Sequence, residues 1–418
     1  MKKNKRLISV LSAKKKMVES LKNLKITSES IDFRESENRV LADNIISKNN
    51  IPEFDNSAVD GFGINYNSIK KGKKTLKIVG ESRPGKPFKN KLKNGEAIVI
   101  FTGAFILKNN NIDTVCFEEN CLLEKKILKI IKLPEKGDNV RKKGEDIKKN
   151  QVAFKKGRKI RTVDLTQLSS LGLKKIKVFK KIKVGIFSSG DEISLCSKKK
   201  KYSIFDANKI VLVSLIKRLG CETSDLGLIK DNFEHTKKKL NKNLSSFDLI
   251  ITSGGVSKSR IDHIGRFFSI SGKVNFWQLA LKPGRPFAFG KLNNTPFIGL
   301  PGNPVAAVIT FLMLVTNFIK KLSGIKKTEI IERLIPADFK MKKKTGRTEW
   351  LRGSIKVKDN NFFLEKFHTS GSGIISSISN TDGIIEINAD VKYIKKGTLL
   401  KFYRYEDILS WKYSISQK

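Results

Sequence analysis

Residues 247–262 read Phe-Asp-Leu-Ile-Ile-Thr-Ser-Gly-Gly-Val-Ser-Lys-Ser-Arg-Ile-Asp. Leu249, Ile250 and Ile251 make a short apolar run without polar alternation, the pattern of a strand buried on both faces. Thr252-Ser253-Gly254-Gly255 then ends the strand in small residues. Paired glycines let backbone N–H groups turn outward and approach an anion closely, and the hydroxyls of Ser253 and Ser257 add donors. Asp262 follows within reach of the same loop, a carboxylate suited to holding a cation beside that anion. In an open α/β sheet, ligands sit at the carboxyl ends of the strands, where this loop falls. Taken alone, a Ser-Gly-Gly loop favours the plainer reading, a tight strand-to-helix turn with no ligand.

Two further loops of the same kind tip the balance. Val184-Gly185-Ile186-Phe187 runs into Ser188-Ser189-Gly190-Asp191-Glu192, and Phe297-Ile298-Gly299-Leu300 runs into Pro301-Gly302-Asn303-Pro304. Three such loops in one α/β domain line one rim of one sheet. The pattern points to a phosphate-type or pterin-type anionic site.

Composition bounds the alternatives. At 418 residues the chain has room for about two to four domains. Lys+Arg 84 against Asp+Glu 40 leaves a net charge of +44. The lysines are spread along the whole chain rather than gathered in one stripe among aromatics, and no nucleic-acid-binding motif is present. Solvated lysine surfaces that steer small anionic substrates are therefore expected, with no nucleic-acid partner. Cys116, Cys121, Cys196 and Cys221 form no CxxC pair and the three histidines are scattered, so neither zinc nor a disulfide framework is implied and a reducing cytoplasm fits. The apolar run Leu7–Ala13 is short, serine-broken and followed by three lysines, which reads as an amphipathic helix rather than a signal peptide. Val305–Ile319, too short to span a bilayer, reads as a buried helix, and no membrane association is expected.

Pattern shifts divide the chain. Residues 1–50 read as a helix followed by a strand-like Arg39-Val40-Leu41. A polar loop, Pro52-Glu53-Phe54-Asp55-Asn56-Ser57-Ala58-Val59-Asp60-Gly61, comes next. Asp55 and Asn56 suit an Asx-turn that satisfies its own backbone, whereas Asp60, next to glycine, is placed to reach a ligand. Strand-like runs Leu76–Val79, Ala97–Phe101, Thr114–Phe117 and Ile127–Ile131, separated by turn signals, make residues 51–146 a β-rich insertion. Val163–Leu171 and Ile176–Val178 resume a helix and a linking strand. From 183 to about 328 the βα alternation holds, with Asp206 placed to cap a helix ended by Gly220 and Asp231 opening the next at the same rim. After that, short strands from Trp350 to Phe402 form a C-terminal β module.

These loops in this order resemble the molybdopterin molybdenumtransferase family, related to the gephyrin E domain. The resemblance rests on PEFDNSAVDGFG, IFTGA, VRKKGED, SLG, SSGDEI, DAN, ITSGGVS, LALKPGRPFAFGKL, GLPGNPV and GRTEWLRG, which span nearly the whole chain. It implies a multidomain α/β protein with a central three-layer molybdopterin-binding domain (183–328), a β-rich insertion (51–146), a split linking and dimerisation domain (1–50 and 147–182) and a C-terminal β-barrel (329–418). It also implies a homodimer, with contacts to a molybdopterin adenylyltransferase and to molybdoenzyme acceptors. The activity implied is insertion of molybdate into the dithiolene of adenylylated molybdopterin with release of AMP, assisted by Mg2+.

The resemblance also distributes roles. Asp231 and Asp262 take the metal, and Asp60, Asp146 and Glu192 join them in catalysis, Asp60 arriving from the partner subunit. Thr102, Ser189, Gly190, Asp191, Ser253, Gly254, Gly255, Ser257, Pro301, Gly302 and Asn303 cradle pterin and phosphate. Lys282, Arg285, Arg347, Arg352 and Ser372 surround molybdate, a dianion that needs cationic and hydroxyl donors. The sequence departs from the family pattern at Gln278, at Ala306 and at Lys258-Ser259-Arg260. Two other readings stay open: a molybdopterin adenylyltransferase, and a non-catalytic scaffold like gephyrin.

Overall fold

The computed structural model describes residues 7–22, 24–69, 72, 74–194, 201–230, 232–256, 263–326, 328–369 and 371–410. Its centre is a six-stranded sheet of β1 (Lys183–Ser189), β2 (Glu222–Ile229), β3 (Leu249–Ser253), β4 (Gly272–Gln278), β5 (Pro286–Leu292) and β6 (Thr295–Leu300), in the order β2-β1-β3-β6-β5-β4. The first four in that order run parallel. β5 runs antiparallel to β6 and β4 antiparallel to β5, so β5 alone points the other way. All of β3 is buried, as its unbroken apolar run requires. Ser188 stands opposite Ser253 and Ser253 opposite Leu300, so β1, β3 and β6 end level and their loops share one rim.

The strands β4 and β5 lie outside the simple βα alternation read from the sequence. Phe-Ala-Phe-Gly in β5 has the apolar density of a buried strand, but its short connection to β6 marks a hairpin, which reverses direction. The helix Ala207–Arg218 starts where Asp206 accepts from the amides of Asn208 (3.1 Å) and Lys209 (3.0 Å). Gly220, at φ +85°, follows its end, as the sequence indicates. Residues 304–322 form one buried helical run with a π turn at Phe311–Val315. By length and composition this run could cross a membrane, yet 89% of its apolar stretch is buried within the protein, as for a core helix.

The helix Val10–Glu19 packs Val10, Ala13 and Met17 into the core of the central domain, beside Phe311, Val315 and Phe318. Amphipathic spacing announces such a helix but not which surface receives it. The same core takes Trp350, Ile384, Tyr403 and Leu409 from the C-terminal region. Lys320, 1% exposed, joins the two by donating to the carbonyls of Ile408 (2.9 Å) and Ser410 (2.6 Å).

The N-terminal β region holds a second six-stranded sheet in the order Thr114–Phe117, Gly61–Ile64, Glu96–Ile100, Thr75–Ser82, Ile127–Ile130, Cys121–Glu124. The four runs expected from the sequence are all among them. Arg39-Val40-Leu41, expected as strand-like, forms only isolated bridges, Val40 to Lys159 and Leu41 to Val178. Besides the two-residue Ile45–Ile46, this region has the strand Ser28–Asp32, paired with Lys175–Phe179. Its polar, half-exposed residues carry little strand signal.

In the C-terminal region, Trp350-Leu351 and Gly353–Val357 belong to one long strand, Thr348–Lys358. Its neighbours follow as Gly383–Ile387, Leu399–Arg404 and Arg333–Pro336 on one side, with Asn361–Lys366 folded back on the other. The Asp338 amide donates to the Leu364 carbonyl at 2.8 Å, bringing the Arg333–Pro336 edge round to Asn361–Lys366.

Candidate active site

The three rim loops interlock through small residues. Gly254 and Gly255 adopt φ of +85° and +69°, which disfavour any side chain. A Cβ on Gly254 would stand 2.7 Å from the Ser189 carbonyl, and one on Gly255 2.7 Å from the Ser189 hydroxyl. The Ser-Gly-Gly loop therefore lies directly on the Ser-Ser-Gly loop. The Gly254 amide donates to the Leu300 carbonyl (3.1 Å), tying in the third loop.

A residue that sequence reasoning did not single out completes this arrangement. Asn208, buried, donates from its amide nitrogen to both the Ser253 hydroxyl and the Gly302 carbonyl at 2.7 Å. It spans the loops after β3 and β6. Its neighbour Asp206 binds the Ser188 hydroxyl as well as the helix start. The only signal in the sequence was the Asp-Ala-Asn at a helix start.

Glu192 folds its carboxylate over Gly190, and both Asp191 and Glu192 are exposed. Pro301 is buried, while Gly302 and Asn303 are exposed. Asn303 donates to the Ser372 hydroxyl at 3.0 Å, so a C-terminal loop reaches the rim. Arg352 sustains that loop. It is 2% exposed, and its guanidinium donates to the carbonyls of Thr369 (3.3 Å) and Gly371 (3.1 Å) and to the Ser377 hydroxyl (2.9 Å). Three of its donors are thus engaged by Ser372's own surroundings.

Ala288 pairs with Gly299, which puts Pro286, and the Lys282–Arg285 turn before it, level with the loop after Leu300. Arg285 is exposed. Lys282 lies 3.5 Å from a Glu349 carboxylate oxygen across a parallel pairing of Leu281–Lys282 with Thr348–Glu349. Arg347, half-buried, directly precedes that pairing. Three main-chain bonds fix this corner: Ile8 to the Gln278 carbonyl (3.2 Å), Ala280 to that of Ile8 (2.8 Å) and Thr348 to that of Ala280 (3.0 Å).

Asp60 and Thr102 meet in the N-terminal β region, on a different sheet from the rim. One Asp60 oxygen accepts from the Thr102 amide at 2.7 Å and from its hydroxyl at 2.8 Å, which holds the carboxyl pKa below its usual value. Asp55 does not close an Asx-turn on itself. It accepts from the Lys143 amide (2.8 Å) and pairs with Lys142 (3.1 Å), docking the Arg141–Asp146 turn. Asp146 at its end is exposed.

Asp231, Ser257 and Asp262 lie outside the described residues. Among the described residues no cluster of three or more His, Cys, Asp or Glu side chains could hold a metal ion.

A parallel-sheet rim of interlocked glycine loops, level with a cationic corner, is suited to a phosphorylated or pterin-like anion. Comparison with known proteins agrees. Residues 185–321 match the model described as a probable molybdopterin binding domain. Residues 8–172 match the MoeA N-terminal region (domain I and II), and 335–405 the MoeA C-terminal region (domain IV). The chain is 34% identical to a molybdopterin molybdenumtransferase of Haemophilus influenzae, over 96% of this chain and 100% of that one. It is 30% identical to a putative molybdopterin biosynthesis protein of Methanocaldococcus jannaschii, over 96% and 98%. A crystal structure of a molybdopterin biosynthesis MoeA protein from Pyrococcus horikoshii superposes with a TM-score of 0.84 at 26% identity, covering 96% of this chain and 100% of the other. The chain belongs to the molybdopterin molybdenumtransferase family.

Proposed function

We propose that this chain cleaves adenylylated molybdopterin, releasing AMP, and inserts molybdate into the freed dithiolene. Membership of the family makes it a molybdenum-inserting transferase of molybdenum cofactor biosynthesis. The observation that carries the finer reading is the interlocked rim beside a cationic corner: one half suits a phosphorylated pterin, the other a tetrahedral dianion. Ser189, Ser253 and the amides around Gly254 and Gly255 receive pterin and phosphate. Lys282 and Arg285 receive molybdate, with Arg347 and Ser372 on the C-terminal side. Arg352 acts by positioning Ser372.

Asp231 and Asp262, the carboxylates that the family resemblance gives to the metal, would hold a divalent cation such as Mg2+, while Asp206 is committed to Ser188 and to a helix start. That ion would neutralise charge on the phosphates being separated. Asp60, ordered by Thr102 on another sheet, serves a homodimer in which one subunit's β region closes the other's rim. The C-terminal sheet, curled until Asp338 meets Leu364, is a β-barrel, and the domain limits follow 1–50 with 147–182, 51–146, 183–328 and 329–418. Buried, unpaired Cys116, Cys121 and Cys221 suit a reducing cytoplasm.

The test is direct. Purified protein with adenylylated molybdopterin, molybdate and Mg2+ should release AMP and form active cofactor, and a folded Asp262→Asn protein should do neither. Near-normal turnover by that variant would remove Asp262 from the metal site. Consumption of ATP with release of pyrophosphate, the AMP moiety passing to molybdopterin, would assign the adenylylation step instead.

A further inference from the structure

We propose that Glu349 is a positioning residue for the oxyanion, fixing the Lys282 ammonium while keeping anion binding weak enough to reverse. The inference deepens the reading above and rests on Lys282 as the molybdate ligand. Glu349 is 5% exposed, yet one of its carboxylate oxygens, Oε2, is buried with no hydrogen-bond partner. That same oxygen is the one 3.5 Å from Lys282 Nζ, so the two form an ion pair without a hydrogen bond. A buried carboxylate is costly unless paired and hydrogen-bonded, and mere stability would favour an apolar residue in its place.

The two partners are unequal. The Glu349 side chain is 7% exposed and held in a strand between Thr348 and the fully buried Trp350, whereas the Lys282 side chain is 45% exposed. Lys282 therefore keeps an open side toward solvent and an N–H set not consumed by Glu349. An arriving dianion can take those donors without breaking a hydrogen bond. The fixed negative charge behind the ammonium then opposes the dianion. Lys282 is thereby aimed, and its affinity is lowered.

Equilibrium binding of radiolabelled molybdate to the full chain tests this, with unfolding followed in parallel. Lys282→Ala should lose the site. Folded Glu349→Gln, isosteric but uncharged, should bind molybdate about tenfold more tightly. Glu349→Asp withdraws the charge by one methylene and should tighten binding about twofold to threefold, deciding the matter if the glutamine variant does not fold. A purely structural Glu349 would give the opposite sign, looser binding that tracks lost stability. Unchanged or weaker binding in the folded variants, with Lys282→Ala still defective, overturns the inference and leaves the oxyanion reading standing. Wild-type binding by Lys282→Ala overturns both.

Discussion

The glycine rim and the Lys282 corner sit level with each other but are built on opposite principles. At the rim, small residues fill the space to van der Waals contact and the hydrogen bonds run among backbone groups, Asn208 and Ser253. Nothing there can shift without moving a neighbour. At the corner, charge is plentiful but incompletely matched: Arg285 is exposed and Lys282 has an ion pair without a hydrogen bond. The difference teaches that shape selection and charge selection have been placed on separate structural supports. Rim substitutions should change whether the site exists, and corner substitutions how tightly it holds an anion.

The largest effect expected is at the rim. Gly254→Ala forces a side chain into left-handed backbone 2.7 Å from the Ser189 carbonyl. It should cost about 2 kcal/mol or more in urea unfolding and reduce AMP release at least 100-fold. Near-normal activity in this variant would break the comparison, because the rim would then tolerate distortion.

Arg352→Ala comes next, since it sharpens the boundary between the two supports. Removing a buried guanidinium that satisfies three acceptors should destabilise by about 2–3 kcal/mol and loosen the Ser372 loop. The molybdate requirement should rise less than in Lys282→Ala, and comparing the two half-saturation concentrations checks the order.

Much of this was legible in the sequence. The unbroken apolar run before Ser253-Gly254-Gly255 identifies a strand buried on both faces, and the repeated small-residue loops identify a rim. Asp206 and Gly220 bracket their helix because capping chemistry is local. What stayed hidden was non-local. Asn208 looks like any polar residue near a helix start until the fold sets it between Ser253 and Gly302. Arg352 is grouped by the resemblance with the residues around molybdate, and sequence does not show how closely a loop will cover it. The β5–β6 hairpin escaped because apolar density is the same whether a strand runs parallel or antiparallel.

The smallest expected effect concerns Asp60. Its lowered folded-state pKa means that the Thr102 bonds favour the folded protein above the unfolded carboxyl value near 3.9 and lose that contribution as pH falls through the folded value. Thr102→Val keeps the amide donor and removes the hydroxyl, so Asp60 should titrate at a higher pH. A carboxyl-resolved NMR titration reads the shift; an unmoved Asp60 would mean that the amide alone sets its acidity.

The backbone bonds of Ile8 to Gln278 and Ala280 bear on how the chain is made. A ribosome releases Ile8 long before it has synthesised the segment that Ile8 pairs with, so the leading helix must wait, unpaired, for the central domain to emerge. Contacts this distant in sequence form late and slowly. Trimming the chain past Ile8 would then disturb the Lys282 turn far along the sequence before it disturbed the linking strands nearby.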